Sequence, residues 1–193
     1  LCVITHLGRP KEGEFDIDLS VLPIKKWFEK RLNEEIDLIN NFENIPDNVC
    51  FMENIRFFNG ENDNDKNLSE QIAKAFDVYV MDAFATAHRA AASTLGAIKF
   101  SKNACSGLLF SEEIKNLESA LKENKQILSI VGGSKISTKL KVIHNLLPNS
   151  SAIVVGGPIA NTFLKAADNP IGKTILEDDM LDKAKELLST NKI

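Results

Sequence analysis

The sequence predicts an α/β fold built on parallel sheets, and three observations carry that prediction. Short apolar runs alternate with longer amphipathic stretches along the chain, the pattern of strand–helix–strand units. Polar, basic or glycine-rich segments stand where those strands end, the place at which open parallel sheets bind ligands. The 193 residues, 44% hydrophobic and 26% charged, have the profile of an ordinary soluble globular protein, long enough for one core or for one domain and part of another.

The apolar runs place strands at residues 2–6, 36–39, 49–53, 78–82, 126–131 and 152–155. Leu1-Cys2-Val3-Ile4-Thr5 reads as a buried strand entered partway along, and the chain stops near Ile193 where a further strand could start, so a fragment cut at both ends is expected. Helices are predicted at 19–32, 68–76, 111–123, 137–147, 159–167 and 179–188. Pro23 is tolerable in the opening turn of the first. Ser111 opens the third, with Glu112 and Glu113 in its first turn. Residues 57–67, acidic and polar, read as a surface loop. The helix from Ser111 ends in the charged run Lys122-Glu123-Asn124-Lys125 before a new strand–helix series begins, and so reads as a connector of two domains.

A net charge of −4 argues against a general nucleic-acid or membrane-surface role, while leaving room for a local basic cluster. No run of about 18 apolar residues is present, and no signal-peptide pattern opens the chain. Cys2, Cys50 and Cys105 are far apart, with no metal-ligand or disulfide spacing, and read as buried reduced thiols of a cytosolic protein.

Four strand ends could carry chemistry. Thr5-His6-Leu7-Gly8-Arg9-Pro10 leaves His6 and Arg9 beside a tight glycine turn, either to bind an anion or simply solvated. In Glu53-Asn54-Ile55-Arg56-Phe57, Arg56 is pinned for anion binding or, the better reading taken singly, paired with a structural acid such as Glu53. Asp82-Ala83-Phe84-Ala85-Thr86-Ala87-His88-Arg89 is either a close-packed turn or a close approach to a ligand with cationic donors. Three arginine-bearing turns at three strand ends together suggest a pocket for a small polyanion.

The fourth strand end is Gly132-Gly133-Ser134-Lys135-Ile136-Ser137-Thr138-Lys139, which turns backbone N–H groups and a helix N-terminus toward a phosphate. Lys135 and Lys139, four apart, would share a helix face over it, or be two solvated lysines. The segment matches neither the Walker A nor the GxGxxG pattern. Gly156-Gly157-Pro158 is a weaker candidate, a wall of a nucleotide pocket or a plain turn. His144, mid-helix, has no assigned role.

The segments HLGRP (from His6), ENIRF (from Glu53), DAFATAHRA (from Asp82), GGSKISTKL (from Gly132) and GGxxANTFL (from Gly156) resemble, in order and spacing, the phosphoglycerate kinase family in its bacterial form. The resemblance implies two Rossmann-like αβα domains with parallel sheets joined by a long helix, both incomplete here. Residues 1–110 would be the triose-binding domain, 111–124 the helix and 125–193 the first part of the nucleotide-binding domain. It further implies reversible phosphoryl transfer from 1,3-bisphosphoglycerate to ADP, giving 3-phosphoglycerate and ATP, with Mg2+ accompanying the nucleotide. The setting would be a monomeric cytoplasmic enzyme.

By resemblance, His6, Leu7, Gly8, Arg9, Arg56 and Arg89 bind the triose, and Gly133, Lys135, Lys139, Gly156 and Gly157 the nucleotide. Arg9 and Lys135 would act in catalysis. Ala85 and Ala91 depart from a usual glycine and a frequent polar residue, and Pro158 from a third glycine. A dinucleotide enzyme and a noncatalytic phosphate-binding module derived from this fold are the competing readings. The family's segments expected outside these residues lead us to expect little or no turnover from the chain alone.

Overall fold

A computed structural model describes residues 1–122 and 126–193. All six predicted strands form: β1 Cys2–Val3, β2 Asp37–Ile39, β3 Cys50–Met52, β4 Tyr79–Met81, β6 Ile127–Gly132 and β7 Ser150–Gly156. A seventh, β5 (Ala104–Ser106), pairs parallel to β4, with Val80 opposite Cys105. All three of its residues are exposed, so no apolar run announces it. Every strand pair is parallel: β1-β3-β2 in one sheet, β4-β5 in a second, β6-β7 in a third. Among the described residues only the central strand of the first sheet, β3, has all its residues buried, as covering on both faces requires.

The helices are α1 Leu22–Leu32, α2 Lys66–Lys74, α3 Ala97–Phe100, α4 Leu108–Lys122, α5 Leu140–Leu146, α6 Pro158–Ala166 and α7 Leu181–Leu188. Three starts differ from the sequence reading by three residues, the other predicted starts by one or two. Residues Ile17–Leu19 form a separate 3-10 turn, and α1 begins only after Ser20 and Val21 have bonded Glu53; Pro23 does fall in its first turn. α4 begins three residues before Ser111, because the Asp82 carboxylate, reaching from the end of β4, accepts from Phe110 N at 2.8 Å. Gly107 makes that approach possible, since a Cβ there would lie 2.3 Å from Asp82 Cγ. α5 begins at Leu140 rather than Ser137, residues 137–139 being a turn closed by Lys139 N on Ile136 O at 2.9 Å.

A π turn over Ala92–Gly96 runs into α3, and neither is periodic enough in sequence to be foreseen. The loop at 57–67 is not all surface: Glu61 is buried and Lys66 already belongs to α2. The expected helix end at Glu123, the charged run beyond it and the domain boundary at 124–125 lie outside the described residues.

The chain divides into two compact units, Leu1–Lys115 and Asn116–Ile193, the division falling within α4. In the first, Ile55, Leu68, Ile72, Ala92 and Ala97 form a core between the π turn, α2 and α3. In the second, Val131 and Ile153 of the sheet pack with Ile143, Ile159, Phe163, Ala184 and Leu187 from α5, α6 and α7. Among the described residues no helix is long and apolar enough to cross a membrane. The three cysteines are free, but only Cys50 is buried; Cys2 is half-buried and Cys105 exposed. Leu1, read as part of a buried strand, is exposed.

Candidate active site

The first unit gathers its cations where β1, β3 and β4 end. After β1 the chain turns at Gly8, whose φ of +60° and whose absent Cβ, 2.5 Å from Leu19 Cδ2 if present, both call for glycine. The turn is held by Asn54, fully buried beyond β3. Its Nδ2 donates to Leu7 O and Leu19 O, each at 2.8 Å, and its Oδ1 accepts from Arg56 N at 3.1 Å. Arg56 Nη1 then donates to Gly8 O, so the first two segments are knitted into one wall. Asn54 was not singled out in the sequence; an Asn directly before Ile-Arg, after a strand-ending Glu, was the available signal.

Arg56 does not pair with Glu53, contrary to the reading favoured for it alone. Glu53 Oε2 accepts from Ser20 Oγ at 2.7 Å, and its Oε1 from Val21 N and Asn54 N at 2.9 and 2.7 Å. Glu12 is likewise taken by backbone, accepting from Gly60 N and Asn62 N at 2.9 and 2.8 Å. Although burial pushes the Glu12 carboxyl up, these bonds hold it below its ordinary value. Among the described residues no ion pair involves Arg9, Arg56 or Arg89.

His6, Arg9, Arg56 and Arg89 share one electrostatic neighbourhood. Burial first, then the charges of Arg56 and Arg89, push the His6 imidazole below its ordinary value, favouring its neutral form. Burial, then Arg89 and Arg9, lower Arg56 as well. His6, Arg56 and Arg89 stand in a cleft of about 800 Å³ that residues of β1 and β4, together with Glu61, also line. Repelling cations held together without an ion-pair partner, with only the Glu61 charge nearby to raise Arg56, form a site for an anion. Leu7 and Arg9 are exposed on the turn, and His88 is exposed with no partner role. Ala85 lines the cleft in a 3-10 turn without a positive φ, so its methyl causes no backbone strain there. Ala91 is buried, its N–H donating to Thr94 Oγ1 at 3.1 Å.

In the second unit the glycine turns after β6 and β7 meet. Gly132 and Gly156 are register partners with open space where each Cβ would be. Ile159 N donates to Gly133 O at 3.0 Å, and Gly157, at φ +71°, would bring a Cβ within 3.2 Å of the same oxygen. Pro158 begins α6, where a missing N–H costs nothing, so its replacement of a glycine fits the helix start. Lys139 lies over Gly133, with Cε 3.5 Å from where a Cβ would stand. Lys135 and Lys139 do not share a helix face: Lys135 is exposed in the turn and Lys139 is the residue before α5.

The N–H groups of that turn are not all open either. Ser137 N and Oγ donate to Glu177 at 3.0 and 2.6 Å. Burial pushes the Glu177 carboxyl up, but its bonds from Ser137 and Ile136, with the nearby charge of Lys135, carry it below its ordinary value. Glu177 also went unnoticed in the sequence, being 40 residues from its partner.

The phosphoglycerate kinase family model matches residues 1–193. Phosphoglycerate kinase of Coxiella burnetii is 43% identical over 189 residues, covering 95% of this chain and 48% of that protein. Phosphoglycerate kinase of Francisella philomiragia is 45% identical over 195 residues, covering 98% and 50%. The solved structure of the Coxiella burnetii enzyme superposes with a TM-score of 0.86 at 42% identity over 98% of this chain and 50% of that one. Phosphoglycerate kinase of Pyrococcus horikoshii, 24% identical with a TM-score of 0.76 over 97% of this chain and 52% of that one, shares the fold. The chain thus spans about half the length of the curated relatives it matches. With parallel sheets, strand-end cations and matched relatives in agreement, the chain belongs to the phosphoglycerate kinase family.

Proposed function

We propose that this chain forms the triose site and part of the nucleotide site of a phosphoglycerate kinase, which transfers a phosphoryl group reversibly from 1,3-bisphosphoglycerate to ADP. The observation that carries the reading is the gathering of His6, Arg9, Arg56 and Arg89 without a carboxylate partner. A phosphoglycerate is a small polyanion whose carboxylate and phosphate oxygens match guanidinium forks. In this reading Arg9 orients the triose, His6 and Arg56 hold it against the Leu7–Gly8 turn, and Arg89 closes over it. Gly133, Gly156 and Gly157 let the nucleotide approach the backbone, while Lys139 meets its phosphates. Lys135 spreads positive charge over the equatorial oxygens of the transferring group. An acyl phosphate leaves readily, so positioning and charge are the main demands and no strong general base is required.

Among the described residues no group of three or more His, Cys, Asp or Glu side chains converges on a metal position. Mg2+ would accompany the nucleotide, bound to its phosphates. Domain closure about the long helix would bring the two sites together and exclude water. The reading carries with it a monomer in a reducing cytoplasm, in keeping with three free thiols.

A second reading, a noncatalytic phosphate-binding module, is favoured by one observation: Glu177 already occupies Ser137 N in the nucleotide-side turn. One experiment separates them. The coupled phosphoglycerate kinase rate is measured for the protein expressed from the complete gene, for its Lys135→Ala variant and for the 193-residue chain. Fast turnover that collapses in Lys135→Ala supports the kinase, with the short chain binding 3-phosphoglycerate but inactive. A folded, complete protein that binds phosphate without turnover supports the module.

A further inference from the structure

Glu61 is the most buried carboxylate beside the cationic pocket, 4% exposed, and the chemistry described so far gives it nothing to do. It lies five residues beyond Arg56. One carboxylate oxygen accepts from Ser93 N at 3.0 Å, the other from Ser93 Oγ, and its backbone carbonyl accepts from Ala92 N at 2.9 Å. Ser93 lies four residues beyond Arg89. Next to it, Thr94 Oγ1 donates to Arg89 O at 2.7 Å and accepts from Ala91 N at 3.1 Å. A continuous bonded path therefore leads from the loop after Arg56, through Glu61, Ser93 and Thr94, to the backbone of Arg89.

We propose that Glu61 is a positioning residue of the anion pocket, its carboxylate fixing the Arg89 turn against the Arg56 loop so that both guanidiniums meet one ligand. This rests on the triose-site reading above and deepens it. Arg89 needs such a device, because among the described residues its side chain makes no hydrogen bond or ion pair of its own. Two cations arriving on different loops repel, and without a tie the turns would relax apart. A buried carboxylate costs desolvation that must be offset by its hydrogen bonds, and Glu61 makes both of its own to Ser93. With both oxygens spent on Ser93, Glu61 forms no ion pair with Arg56, although each feels the other's charge. Burial holds the Glu61 carboxyl above its ordinary value, and the two Ser93 bonds oppose that rise without cancelling it.

The test is calorimetric and NMR titration of the 193-residue chain with 3-phosphoglycerate, for wild type, Arg89→Ala, Glu61→Ala, Glu61→Gln and the Arg89→Ala/Glu61→Ala double variant. Glu61→Ala should weaken binding about tenfold, whereas the isosteric Glu61→Gln, able to bond both Ser93 groups, should stay within about threefold of wild type. In the Arg89→Ala background the Glu61 substitution should have no further effect, since the residue acts through that guanidinium. Losses that simply multiply in the double variant overturn the proposal. So does Glu61→Gln binding tighter than wild type, the mark of a bare opposing charge. Should Glu61→Ala melt below the assay temperature, Ser93→Ala, which removes only the hydroxyl, carries the same cycle with about a threefold loss. Failure of wild type to bind 3-phosphoglycerate refutes the site reading itself, and is thereby distinguished from failure of the Glu61 inference.

Discussion

At the scale of single residues, the pocket is a case of charge left unsatisfied by arrangement. Three carboxylates of this region are committed to backbone or hydroxyl donors: Glu53 to Ser20 and Val21, Glu12 to Gly60 and Asn62, Glu61 to Ser93. His6 reports the result. Its pKa is held below 6.5 by burial and by Arg56 and Arg89, so the folded state binds a proton less readily than the unfolded chain. His6 therefore contributes stability that is present above pH 6.5 and is lost as pH falls through its folded pKa. An anion in the pocket offsets both guanidiniums, so the His6 pKa followed by NMR should rise when 3-phosphoglycerate binds; an unchanged titration would sink the pocket. Asn54 supports a second prediction. Asn54→Ala removes two donors from the Leu7 and Leu19 carbonyls and one acceptor from Arg56 N, and should cost about 2–4 kcal/mol in urea unfolding. A loss under about 0.5 kcal/mol, the size of an ordinary surface change, would show that the Gly8 turn does not depend on it.

At the scale of elements, helices here are started by groups from elsewhere in the fold, and that explains the misplaced boundaries. Ser111 with Glu112 and Glu113 is a sound local helix start, yet Asp82, 28 residues earlier, supplies the acceptor at Phe110 N. The same holds for α5, where Glu177 fixes Ser137 outside the helix and displaces the expected start to Leu140. Such long-range caps cannot be read from a window of sequence. Asp82→Ala should consequently return the start of α4 toward Ser111, at a cost of about 1 kcal/mol. Amide hydrogen exchange at Leu109 and Phe110 should quicken relative to the helix interior. Exchange rates identical to wild type would mean that α4 starts at Leu108 without this cap.

At the scale of the whole molecule, what was legible followed from periodicity, and what was not followed from pairing. Six parallel strands could be read because their apolar runs are long enough to stand out; β5, exposed and three residues long, is defined only by its partner β4. The cations of the anion pocket were legible because arginines at strand ends are unusual. Asn54, Glu61 and Glu177, which hold the turns, carry no local mark of what they bond. Cysteine burial was the plainest error, since a thiol's surroundings depend on the sheet around it. Cys50 is buried in the central strand β3, in register with half-buried Cys2, whose thiol burial first and Cys50 second push up to about 12; Cys105 lies exposed on β5. Thiolate is the reactive form, so a disulfide reagent at pH 8 should modify Cys105 at once and Cys2 far more slowly. Cys50 should react only through opening of the β1-β3-β2 sheet, at a rate that rises with urea as that opening becomes global. If Cys50 instead reacts as fast as Cys105 in native buffer, β3 is not the protected centre of its sheet, and the platform on which Asn54 and Arg56 stand is looser than these contacts require.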